Sequence, residues 1–125
     1  MSFPYGESMS SFWVIDTKCK VLPQSVLPQD GSAYYYGRSV VPVESKEAAV
    51  EKLVSLLKEQ DILVESVMAS ILYENGRWEG EDDFEIHLSL EESSNSGEIA
   101  IGCFISEKSV GHKYKKMFGI EYSKI

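Results

Sequence analysis

Ser45-Lys46-Glu47-Ala48-Ala49-Val50-Glu51-Lys52-Leu53-Val54-Ser55-Leu56-Leu57-Lys58-Glu59-Gln60 is the stretch that decides the class of fold. Ser45 stands as an N-cap ahead of Lys46 and Glu47. Ala49, Val50, Leu53, Val54, Leu56 and Leu57 recur at the three-and-four spacing that gathers apolar side chains on one face of an α-helix. The outer face carries Lys46, Glu47, Glu51, Lys52, Lys58 and Glu59. Like-charged neighbours such as Glu47 and Glu51 give no ladder of ion pairs, so packing against another layer must hold this helix.

That other layer is β. Upstream, Phe12 to Leu22 alternates, with Trp13, Ile15, Thr17, Cys19 and Val21 on one face and Asp16, Lys18 and Lys20 on the other, the pattern of a half-buried strand. Pro23 and Pro28, among Gln24, Ser25, Gln29, Asp30 and Gly31, cannot sustain a ladder and predict a long connection. Ala33 to Val43 is a second strand, with Gly37 at a bulge and Pro42 at the strand's end or on an edge. Tyr34 and Tyr36 fall on one side of it and Tyr35 on the other. Downstream, Ile62 to Tyr73 is β-branched and apolar, a third strand broken or bulged near Glu65 and Ser66. Asn75-Gly76 is a two-residue hairpin signal that pairs Leu72, Tyr73 and Glu74 with Arg77, Trp78 and Glu79.

Phe84, Ile86, Leu88 and Leu90 alternate with Glu85, His87, Ser89 and Glu91, which favours a strand, although Phe84, His87, Leu88 and Glu91 also fit one helical stripe. Ser93 to Gly97 reads as a turn, and Glu98 to Ser106 returns with Ile99, Ile101, Cys103 and Ile105 on one face to complete a hairpin. The basic tail from Gly111, with His112, Lys113, Lys115 and Lys116, carries a short C-terminal helix. The expected fold is therefore α+β: a mostly antiparallel sheet of about five strands packed against one main amphipathic helix. The 125 residues make one domain, with 1–11 as a flexible N-terminal segment.

Twenty acidic against 12 basic residues give a net charge of −8, which disfavours direct binding to a nucleic-acid backbone. Apolar runs fall short of the roughly 20 residues of a membrane-spanning helix, and the N-terminal residues have no signal-peptide pattern. The expected compartment is cytoplasmic. Cys19 and Cys103 are expected as buried thiols outside any disulfide framework. His87 and His112 are the only histidines, and no HExxH, CxxC, GxSxG or GxxxxGK motif occurs. Neither a catalytic set nor a cofactor or metal site is expected.

The charge is uneven. Residues 1–43 have net charge 0, residues 44–92 hold 14 acids and four bases, and residues 93–125 have net charge +2. Glu79, Glu81, Asp82, Asp83 and Glu85 place five carboxylates in seven positions directly after Trp78. Such a run is either a solvated, solubilising loop or a docking patch for a basic partner. In the second case Trp78, together with Tyr34, Tyr35, Tyr36 or Phe84, supplies the aromatic anchors, because interfaces draw affinity from buried rings and association rate from complementary charge. The spacing does not match a calcium-binding loop.

Phe12-Trp13-Val14-Ile15, Asp30-Gly31 leading into Tyr34-Tyr35-Tyr36, the capped helix from Ser45 and Trp78-Glu79-Gly80-Glu81-Asp82-Asp83-Phe84 together resemble small bacterial immunity proteins. These are the antidotes of contact-dependent growth inhibition and related polymorphic toxin systems. The resemblance spans Phe12 to about Ser106 and rests on size, acidity and the character of these segments. It implies a cytoplasmic inhibitor, a monomer or weak homodimer, that binds a cognate basic toxin domain, frequently a nuclease, and occludes its active site without catalysis. The alternative from the residues is a small ligand-binding or enzymatic α+β domain whose site uses the tyrosines and the 23–31 loop.

Overall fold

The computed structural model describes residues 11–76 and 84–109, with the backbone alone at 84 and 85. The expectations for the flexible N-terminal segment, the 77–79 hairpin arm and the C-terminal helix lie outside the described residues. The elements are β1 (Phe12–Val21), β2 (Tyr35–Pro42), α1 (Lys46–Glu59), β3 (Ile62–Leu72), a 3-10 turn (Tyr73–Asn75), α2 (Phe84–Ser96) and β4 (Ala100–Ser106). The four strands form one antiparallel sheet in the order β3-β1-β2-β4. Because β2 and β3 both run antiparallel to β1, they are parallel to each other, and α1 crosses between them over β1.

Ser45 caps α1 as its spacing requires, its Oγ accepting from the Ala48 amide at 3.1 Å. At the other end Asp61 takes the left-handed conformation, φ 63°, that ends the helix and turns the chain into β3. Ala49, Leu53 and Leu57 are buried against Ile15, Cys19, Val41 and Ile62. These strand residues lie on the face that the alternation of β1 marks as apolar.

The expected single helix and five strands are corrected in one respect that changes the architecture: Phe84–Ser96 is a helix. Its Ile86 packs with Val14, Val40 and Ala100 on the opposite face of the sheet. The sheet thus has a helix on each side. Ser89 and Ser93 are buried in α2 while Leu88 is 49% exposed, so the buried stripe is only partly apolar. The strict alternation of large apolar residues was therefore misleading. Small serines let the helix lie close to the sheet, and Ser93 Oγ satisfies itself on the Glu98 carbonyl at 2.6 Å. Residues 93–96 are consequently the last turn of α2 rather than a hairpin turn. Gly97, at φ 75°, ends it, its amide donating to the Ser93 carbonyl at 2.8 Å.

Two further differences follow. Tyr73 and Glu74 belong to the 3-10 turn, so they are not in a strand pairing through Asn75-Gly76. β4 pairs with β2 rather than with residues 84–91. Two of the three irregularities, near Glu65 and at Gly37, are where the residues suggested. The register of β1 against β3 shifts around Glu65, and again around Met68, and that of β2 against β4 shifts beyond Gly37. A Cβ on Gly37 would stand 2.6 Å from the Phe104 ring, so the glycine lets the ring cover the strand.

The fate of Asp16 also differs from its pattern. The alternation of β1 predicts a solvated side chain, yet Asp16 is 3% exposed. Directly across from it on β2 is Arg38, whose Nε and Nη2 donate to Asp16 Oδ1 and Oδ2 at 2.7 and 3.1 Å. The cysteines divide: Cys19 is buried and Cys103 is exposed, against the expectation that both are buried. Burial pushes the Cys19 thiol pKa up, with a hydrogen bond to Thr17 acting the other way.

Candidate functional site

The segment 77–83 joins the 3-10 turn to α2, and these two elements meet in space. The fold turns one stripe of α2 toward the turn: His87, Leu90, Glu91, Ser94 and Asn95 follow the three-and-four spacing of a helical face. With Phe12, Tyr73 and Glu74 they line a cleft of about 290 Å³. Phe12, Tyr73 and Leu90 are its apolar wall, continuous with the core on this side of the sheet. Tyr73 Oη and His87 Nδ1 are 2.7 Å apart, with the rings edge to face at 80°. When Nδ1 is unprotonated the hydroxyl donates to it, leaving the Nε2 hydrogen directed elsewhere. Glu74 and Glu91 are exposed and engage no hydrogen bond or ion pair among the described residues. The arrangement offers negative charge above an aromatic wall, which suits a cation.

A second concave region lies where the 22–34 loop meets the end of β4. It has a volume of about 460 Å³ and is lined by Pro28, Gln29, Asp30, Tyr35, Phe104, Ile105, Ser106 and Ser109. Asp30 organises it. Ser106 Oγ donates to Asp30 Oδ2, while the Ser32 amide and Tyr35 Oη donate to Oδ1 at 2.9 and 3.2 Å. Lys108 Nζ donates to the Asp30 carbonyl at 3.0 Å. The carboxylate therefore braces the loop against β4. The hydrogen bond from Ser106, followed by that from Ser32, holds its carboxyl well below the usual range.

A carboxyl whose pKa is lowered by folding contributes stability above its unfolded value of about 3.9, and that contribution is lost as the pH falls below it. The stability difference between the parent and Asp30→Asn should therefore be at its full size above about pH 5 and shrink progressively below about pH 4, as the pH falls toward the lowered folded-state value, in urea titrations. A difference that is constant across that range would remove Asp30 from the acid response.

Among the sequence-nominated site residues, Trp78, Glu79, Glu81, Asp82 and Asp83 lie outside the described residues. Glu85 is in the first turn of α2, its side chain likewise outside them. Tyr34 is half-buried, with Lys18 Nζ 4.2 Å from the centre of its ring. Tyr36, at 6% exposure, is part of the sheet's packed interior and presents no ring to a partner. Phe12, Tyr73, Glu74 and Glu91 were not singled out by the sequence. The helical alternative for 84–91, which put His87 and Glu91 on one stripe, was the signal that could have found two members of this cleft.

Comparison of the chain with protein-family models, with curated protein sequences and with solved structures finds no match in any of the three. Among the described residues no helix is long and apolar enough to cross a membrane. Nor, among them, do three His, Cys, Asp or Glu side chains come together in a way that could hold a metal ion.

Proposed function

We propose that this chain is a cytoplasmic binding and inhibitory protein, an acidic antidote that docks on the cationic surface of a basic toxin domain and covers its active site. The observation that carries the reading is the charge of residues 74–92, which hold eight carboxylates against one arginine. Glu74 and Glu91, which flank the acidic run in the sequence, border one cleft. Charge of this density accelerates encounter with a basic protein, and a ring such as Trp78 supplies the buried anchor that charge alone does not. A nuclease is the natural target, because a cleft built for phosphates is already complementary to carboxylates. The reading needs no catalysis and no cofactor. The register shifts in edge strand β3 work against extension of the sheet by a second copy, which suits a one-to-one complex.

The test is capture of a partner from a lysate of the source cells at low and at moderate salt. One basic domain at a one-to-one ratio, retained less well as salt rises, is the expected result. With that domain in hand, Glu81→Gln/Asp82→Asn/Asp83→Asn should slow association about tenfold or more at low salt and flatten its salt dependence while leaving the fold intact. Association at the parent rate would discard the acidic run as the docking surface.

The 460 Å³ cavity beside the 22–34 loop favours a second reading, a small-ligand site. Its tyrosine is Tyr35 rather than Tyr34 or Tyr36. Asp30 there is already committed to three donors and ionised at neutral pH, which suits it to binding and bracing rather than to general-base work. A metabolite that raises the melting temperature of the parent but not of a cavity-filling Ser109→Trp variant would support this reading.

A further inference from the structure

We infer that the cleft between the 3-10 turn and α2 is a socket for a guanidinium group, the side chain of an arginine presented by the partner protein. The inference rests on the docking reading for the origin of that arginine, and the experiment below separates the two. Three features converge on this chemistry. The cleft, about 290 Å³, is large enough for one side chain and too small for a folded segment. Its wall is aromatic and aliphatic, from Phe12, Tyr73 and Leu90, and a planar, weakly hydrated guanidinium lies on such a surface at lower desolvation cost than an ammonium. Its rim carries the carboxylates of Glu74 and Glu91, neither engaged among the described residues, on two separate elements. Carboxylates beside a ring can receive the fork of N–H donors that arginine alone provides.

The hydrogen bond between Tyr73 and His87 fixes the ring that forms this wall. The cleft is therefore organised before an occupant arrives, which reduces the ordering cost of binding.

The experiment uses the full chain and no toxin. N-acetyl-arginine amide is titrated into the isotopically labelled protein while the side-chain resonances of Tyr73 and His87 are followed, with N-acetyl-lysine amide as the comparison. The expected result is a saturable shift at these residues, at millimolar ligand, with lysine binding at least about fivefold more weakly. Glu74→Gln/Glu91→Gln, a change at two exposed positions, should weaken arginine binding at least about tenfold with the fold unchanged. Absence of a saturable shift, equal binding of lysine, or undiminished binding by the double variant would each overturn the socket. If arginine binds as described but no basic partner is captured from the lysate, the socket stands and the antidote reading fails. Capture of a basic partner without arginine binding has the opposite meaning.

Discussion

Arg38→Met should lower the stability of this protein by about 3–5 kcal/mol, out of a total of about 5–15 for a domain of this kind. The cost arises from what is left behind. Asp16, at 5% side-chain exposure, would remain as a carboxylate inside the sheet with its bidentate partner removed. Arg38, at 11%, is similarly enclosed, so Asp16→Leu alone should be damaging in the same way. Removing both charges is a different experiment, because a desolvated ion pair offsets little more than its own burial cost. Asp16→Leu/Arg38→Met should therefore recover most of the loss, giving a coupling of at least about 2 kcal/mol in a double-mutant cycle by urea denaturation. Additive losses would show that the two side chains act independently and that the pairing contributes nothing specific. The pair joins adjacent strands on the face that α2 partly covers, and one residue of slippage between β1 and β2 would separate its members. Its role in the fold is accordingly to fix register.

Leu53→Ala should cost about 2–5 kcal/mol. Leu53 is fully buried at the centre of α1, among Ile15, Cys19, Val41 and Leu57, where the helix meets three strands. Loss of the transferred methyl groups and the cavity left behind both contribute. Alanine is itself a strong helix former, so none of the expected loss comes from helix propensity. Leu56→Ala is the internal comparison. Leu56 is only half-buried on the same helix and should lose well under half as much. Equal losses at the two positions, measured by thermal or urea unfolding, would contradict the assignment of the buried stripe to Ala49, Leu53 and Leu57.

The parts of the fold that were legible in the residues are those whose pattern agrees with their packing. α1 is capped, periodic and buried on the stripe that its leucines mark. β1 alternates, β2 and β3 are rich in β-branched residues, and the irregularities near Glu65 and at Gly37 fall where non-apolar or side-chain-free residues weaken the ladder. α2 was not legible, because its large apolar residues repeat every second position while the stripe it buries includes Ser89 and Ser93. Hydroxyls can occupy such positions when a partner is near, as the Glu98 carbonyl is for Ser93, and that partner is a property of the folded chain. The candidate site shared this difficulty. The acidic run is plain in the sequence, but the cleft depends on α2 being a helix, since only then do His87 and Glu91 face Tyr73 and Glu74.

The sequence by itself determined an α+β fold, the extent of α1, the four strands of the sheet and the concentration of negative charge in the middle third. Each of these is encoded over a few consecutive residues, by caps, periodicity and composition, and so survives without knowledge of the rest of the chain. The tertiary structure alone decided that 84–96 is a helix, that the sheet is covered on both faces, that Asp16 is interior and paired with Arg38, and that Glu74 and Glu91 border one cleft. Those outcomes depend on which distant surface arrives to exclude water from each side chain. Burial, rather than local preference, sets the free energy of a serine, an aspartate or an exposed leucine in its place.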